Sequence, residues 1–261
     1  MTRMHFVGPE VALSLPGAAA LPLTRWLAVL EQVRSEGGQG MQILTVQLGC
    51  VDIDVADEFY RALLGLKTSR VDGTLHVSAG WTEMVLTPGP VQPGVQHIAF
   101  TIPRNRFAEA KRWLIGRLTL LRTDEGDEFE GPTLWNSRSL YFEDPDRNVL
   151  EFIIRRDLPN DASGAFSGGD ILGVSEVGVP VADVAAFRDA ARAELALEPY
   201  CQGGATFRPI GDVNGLLIVV KRGRAWFPTD LSALDMPLEV TIESGPHAEL
   251  EANDSCVIRA R

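Results

Sequence analysis

The chain has 261 residues, 45% of them hydrophobic and 23% charged, which suits a globular protein with one large domain or two smaller ones. A formal charge of -11 and a pI of about 4.9 argue against a nucleic-acid backbone or an anionic lipid surface as partner, since either needs a basic stripe. Three scattered cysteines, Cys50, Cys201 and Cys256, suggest neither a disulfide framework nor a zinc cluster and fit a cytoplasmic protein.

Residues 1–40 hold an apolar run interrupted by prolines and end in Gly37-Gly38-Gln39-Gly40. The basic start is too thin for a secretory signal, and the expectation is that translation begins at Met41, where the first patterned segment opens. Alternation at Ile43, Val46, Leu48 and Cys50 predicts a strand. Asp52 then suits a helix N-cap, ahead of Phe59, Leu63, Leu64 and Leu66 at helical spacing. Strand-like segments follow at 74–78 and 81–87, closed by Pro88-Gly89-Pro90, so that 41–92 forms one unit.

A second unit, 94–156, opens at Val95 and carries a helix at about 106–118 with Phe107, Ala110, Trp113 and Leu114 as its apolar stripe. The acidic stretch 124–130 reads as a solvated loop. Residues 139–152 read as a hairpin about Asp144-Pro145-Asp146-Arg147-Asn148, because Asp and Asn side chains bond nearby backbone and proline fixes a turn dihedral. Two residues stand out: His97 among Val95, Ile98, Phe100 and Ile102, and Glu151 among Val149, Leu150, Phe152 and Ile153. An unpaired buried carboxylate is costly, so Glu151 belongs on a solvated face or in a polar cavity.

Residues 159–169, rich in Gly, Ser, Asp and Asn, read as a linker. Beyond it the first unit repeats. Asp52 and Asp183 differ by 183 − 52 = 131 positions, and the same offset relates Leu64-Gly65-Leu66 to Leu195-Ala196-Leu197 and Val46, Leu48, Cys50 to Val177, Val179, Val181. The third unit spans about 171–228; its last strand aligns 214–222 with 148–156 and sets Leu217 in the place of Glu151. The tail, from Pro237, reads as one more strand of a truncated fourth unit.

The stretches HIAFTIP and YFEDPDRNVLEF, with a helical segment between them, resemble the vicinal oxygen chelate superfamily of glyoxalase I, extradiol dioxygenases and bleomycin resistance proteins. The resemblance implies an α+β fold of repeated βαβββ modules, paired into curved mixed sheets that form a cup. Residues 41–158 are expected as one pair of modules and 170–261 as a second domain. The resemblance places His97 on the first-strand and Glu151 on the last-strand metal-ligand position, and the comparison of units along the chain makes Thr45 and Glu176 equivalent to His97. Glu83 aligns with Glu151, although a two-residue shift sets Val85 there instead, and Gln47 shares the strand face of Thr45 and could reach inward. A divalent Fe, Mn, Ni or Zn is implied, with Glu151 or Gln47 as a base. Glu239 would face Glu176 across a second cup if the tail strand pairs there, a carboxylate pair that would raise the pKa of one of the two or recruit a cation; the structural alternatives pair Glu151 with Arg138 and Glu176 with backbone or Arg224. Trp226 reads as core or cup wall. The implied function is a dioxygenase-like or glyoxalase-like metalloenzyme acting on a small molecule in the cup of the first two units; the alternative is a metal-free protein that binds an aromatic ligand. Open strand edges in the last unit suggest a homodimer.

Overall fold

The computed structural model describes residues 40–261, so the expected start at Met41 concerns a segment that lies outside the described residues. Strand β1 (Gln42–Cys50) leads to α1 (Ile53–Asp57), which widens into a π-helical turn over Glu58–Leu63. Asp52 caps α1 by accepting from the amides of Asp54 and Val55. A hairpin stack β2 (Lys67–Val71), β3 (Thr74–Ala79) and β4 (Thr82–Pro88) completes the first unit. The second unit consists of β5 (His97–Thr101), α2 (Phe107–Ile115), the two-residue β6 (Phe129–Glu130), β7 (Ser137–Glu143) and β8 (Val149–Arg155). The third has β9 (Gly173–Val181), α3 (Val184–Leu195), β10 (Phe207–Gly211) and β11 (Leu216–Lys221). The tail supplies three strands rather than one, β12 (Leu238–Glu243), β13 (Ala248–Asn253) and β14 (Cys256–Ala260).

The repeat extends to backbone detail. Asp183 caps α3 by accepting from Ala185 and Ala186, as Asp52 caps α1. Gly65 and Ala196, one offset apart, both take the left-handed conformation that ends a helix, with φ of 64° and 55°.

The strands form two seven-stranded mixed sheets, β13-β14-β12-β1-β4-β3-β2 and β10-β11-β9-β5-β8-β7-β6. The first sheet therefore joins the first unit to the tail, and the second joins the second unit to the third. This corrects the expected cup of residues 41–92 with 94–156. The joins are antiparallel pairings of first strands, Gln47 opposite Glu239 in one sheet and Ala99 opposite Glu176 in the other. Every first strand has the same apolar alternation and an open edge, so their pattern specifies a partner but not which one.

One apolar core takes a face of each sheet and the stripes of the three helices, with Ile43, Val46, Phe59, Phe100, Phe152, Val177, Phe187 and Val240 among its members. Burial of this kind stabilises by roughly 25 cal/mol per Å² of apolar surface. A smaller cluster on the opposite face of the second sheet gathers Trp135, Val149, Leu216, Ile218, Val220 and Trp226, and this face curls around a cavity. No helix among the described residues is long and apolar enough to cross a membrane.

Candidate metal centre and its cavity

Alternation along three adjacent strands puts three polar side chains on one face. β5 runs parallel to β8 with Ala99 opposite Glu151, and antiparallel to β9 with Ala99 opposite Glu176. The small Ala99 thus lies between two carboxylates, and His97, two residues back, shares their face. His97 Nε2 stands 3.5 Å from Glu151 Oε2 and 3.7 Å from Glu176 Oε2, and one ligand atom from each residue lies within 4.8 Å of the others. All three are buried.

Glu176 reaches the site from the third unit, at the first-strand position that the offset assigned to it. Its other oxygen, Oε1, accepts from Nη2 of Arg155 at 2.5 Å. Arg155 is 0% exposed, so this pairing, in place of one with Arg224 or backbone, neutralises a carboxylate inside the protein. Arg138 does not pair with Glu151; it holds Glu128 and Glu130 at the cavity rim.

The remaining partners fix the imidazole. His97 Nδ1 faces only the Val149 carbonyl, at 3.1 Å, and a carbonyl can only accept, so Nδ1 carries a proton. In the neutral ring Nε2 then presents its lone pair to two carboxylates. That arrangement is repulsive unless a proton or a cation sits among the three groups. Burial pushes the Glu151 carboxyl up to about 7, and the adjacent charge of Glu176 adds to the rise. Burial alone would lower His97, but the hydrogen bond to Glu176 and the charges of Glu151 and Glu176 raise it. Glu176 is held below the ordinary glutamate value, because the charge of Arg155 and the contact with His97 overcome its burial.

The triad forms the floor of a cavity of about 630 Å³ with aromatic walls: Phe129, Trp135, Tyr141, Phe207, Trp226 and Phe227 all border it. Trp226 donates Nε1–H to the Val95 carbonyl at 2.9 Å and lays its ring 5.4 Å from that of His97. Gly178 permits this, since a Cβ there would stand 2.5 Å from Trp226 Cη2. The acidic stretch 124–130 is not merely solvated: Glu125, Glu128 and Glu130 line the rim, and Phe129 packs on Tyr141 and Phe227.

Two expected site residues are elsewhere. Gln47 and Glu83 belong to the other sheet, where Gln47 donates to Glu239 at 2.9 Å and Glu83 pairs with His76 at 2.8 Å. The strand register explains the misplacement. His97 pairs with Val149, two residues before Glu151; Thr45 pairs with Glu83, so Val85 is the counterpart of Glu151. By the same rule Glu176 pairs with Leu216, which makes Ile218, not Leu217, the third unit's counterpart; Ile218 borders the cavity while Leu217 faces the main core. In the first sheet Glu239 pairs with Val257, and Arg259 takes the fourth place. There Arg259 forms an ion pair with Glu239, so Glu239 does not face Glu176, and the duplicate of the site has become a salt bridge.

Tyr141 was not singled out in the sequence. It sits directly opposite Glu151 in the β7–β8 hairpin and, with Ser139, lies within hydrogen-bonding reach of that carboxyl. The signal was available, since cross-strand partners share a face and the turn fixes the register.

This is the vicinal oxygen chelate fold, shared with glyoxalase I and with a protein provisionally assigned as a dioxygenase. A mutant form of glyoxalase I from Zea mays is 13% identical with a TM-score of 0.53, over 90% of this chain and 95% of that chain. The glyoxalase I structure from the same plant is 12% identical with a TM-score of 0.52, over 84% and 92%. A protein of Bacillus subtilis subsp. subtilis strain 168, provisionally assigned as a dioxygenase, is 14% identical with a TM-score of 0.52, over 86% of each chain. No protein-family model and no curated protein sequence matches the chain.

Proposed function

We propose that the chain is a cytoplasmic small-molecule metalloenzyme of the vicinal oxygen chelate type, with a divalent Fe, Mn, Ni or Zn held by His97, Glu151 and Glu176 at the floor of the cavity. The observation that carries the reading is the position of His97 Nε2, 3.5 Å and 3.7 Å from the oxygens of two buried carboxylates, with Nδ1 occupied by the Val149 carbonyl. One imidazole and two carboxylates suit these ions, and three protein ligands leave positions for substrate oxygens. The ion would supply Lewis acidity toward a pair of vicinal oxygens. The protein's own part is to exclude water with the aromatic walls, to fix the tautomer of His97 through Val149, and to keep Glu176 ionised through Arg155. Tyr141 and Glu151 are the groups placed to exchange a proton with a bound substrate. The structural likeness to glyoxalase I and to a protein provisionally assigned as a dioxygenase supports this class of fold, and both a dioxygenase-like and a glyoxalase-like reaction are proposed on it.

The test is calorimetric titration of the full chain with each of the four ions. About one equivalent should bind, and His97→Ala or Glu176→Gln should weaken binding by about 100-fold or more. Oxygen uptake with catechols, set against loss of a hemithioacetal, separates the two reactions. A second reading, a metal-free binding protein for aromatic ligands, draws on the Arg155 pairing, which satisfies Glu176 without an ion, and on Ile218 in the fourth place. Failure of all four ions to bind would favour it. For assembly as a homodimer, the tail contributes β13, one of the two edge strands of the first sheet, the other being β2.

A further inference from the structure

Arg224 is the single arginine or lysine among the described residues that line the cavity. The cations that meet the acidic rim stretch are engaged: Lys111 holds Asp127 and Glu128, Arg138 holds Glu128 and Glu130, and Arg156 holds Glu130. Arg224 has no such partner among the described residues. Its guanidinium lies 5.1 Å over the ring of Phe207, and its one hydrogen bond is from Nη1 to the carbonyl of the adjacent Ala225 at 3.3 Å. The backbone beneath it is pinned, with Arg224 donating to Lys221 at 3.0 Å and accepting from Ala233 at 2.8 Å. Arg224 is thus a half-buried cation on a fixed segment, set over an aromatic wall at the border of the cavity, with no carboxylate among the described residues to engage its donor fork.

We propose that Arg224 forms a subsite for an anionic substituent, so that the ligand of this cavity is a flat aromatic acid. It lies between the aromatic walls, directs vicinal oxygens to the floor and pairs its acid group with Arg224. The inference rests on the proposed reading that the cavity is the ligand site. The rim carboxylates oppose it weakly, because Glu128 and Glu130 are already neutralised and only Glu125, exposed, lacks a cation. The aromatic walls select flatness, and an arginine selects a carboxylate by two parallel hydrogen bonds.

The experiment follows tryptophan fluorescence, Trp135 and Trp226 being wall residues, during anaerobic titration of the full chain with 3,4-dihydroxybenzoate, 3,4-dihydroxybenzamide and 3,4-dihydroxybenzylamine. The acid should bind about tenfold or more tighter than the amide, as expected for a charged hydrogen bond. Arg224→Gln should bring acid and amide to within about twofold of each other without weakening the amide, and Arg224→Lys should keep part of the preference. Equal affinity for acid and amide in the native chain, tightest binding of the amine, or a preference that survives Arg224→Gln would each overturn the proposal. So would absence of binding by all three up to about 10 mM, a concentration that would reveal even very weak complexes. Titration of the same samples with Mn²⁺ keeps the two readings apart, since Arg224→Gln leaves ion uptake intact if the metal site is real.

Discussion

Arg155 and Glu176 form an ion pair closed off from solvent, with Nη2 to Oε1 at 2.5 Å, while the other oxygen of Glu176 faces His97. One carboxylate thus meets a buried cation with one oxygen and the imidazole with the other. Removing the cation alone leaves a buried negative charge beside Glu151. Arg155→Met should therefore lower stability by roughly 3–5 kcal/mol, and adding Glu176→Leu should recover most of that loss. Urea unfolding of the two variants checks it; a double variant no more stable than the single one would show that the pair is not the source.

Gln47 and Glu83 provide the contrasting control. Both sit on the first sheet, tied to Glu239 and His76. Gln47→Leu and Glu83→Gln should leave ion binding at the native level, whereas Glu151→Gln should weaken it by about 100-fold or more. Calorimetry on the three variants distinguishes a site on the second sheet from one shared between sheets.

Asp144, at the hairpin turn, is buried and accepts from the Tyr60 hydroxyl at 3.1 Å and from Asn148 Nδ2 at 2.8 Å. Burial pushes its carboxyl up to about 6, from an ordinary 3.8, despite these hydrogen bonds. The folded chain then binds a proton that the unfolded chain has lost, so this group's contribution to stability falls as pH rises from 3.8 to about 6 and is level above that window. The total fall is roughly 3 kcal/mol. Tyr60→Phe removes a donor that favours the ionised form and should cost about 1 kcal/mol at pH 7, with a smaller loss near pH 5. Carboxyl-carbon NMR titration of Asp144 together with unfolding at both pH values measures this.

Gly80 joins the first and third units. Its φ is 58°, and a Cβ added there would meet the Leu172 carbonyl oxygen at 1.8 Å, next to the hydrogen bond from Trp81 N to that oxygen. Gly80→Ala should destabilise by about 2 kcal/mol or more, through strain and backbone displacement together. Gly73→Ala, at φ 83° with nothing within 4 Å, isolates the conformational part and should cost about 1 kcal/mol. Thermal unfolding of the two variants separates the contributions.

Local chemistry, written in a few consecutive residues, determined the modules: the Asp52 and Asp183 caps, the left-handed helix ends at Gly65 and Ala196, and the hairpin that lifts Glu151 out of an apolar strand. The sequence also carried His97 and the equivalence of Glu176 to it, because a fixed offset preserves strand position. It did not carry the partner of each first strand. Edges with the same apolar alternation compete, and the choice between β1 and β9 as neighbour of β5 depends on packing across the whole core, so only the tertiary structure brought Glu176 and Arg155 to His97 and left Gln47 and Glu83 on the other sheet.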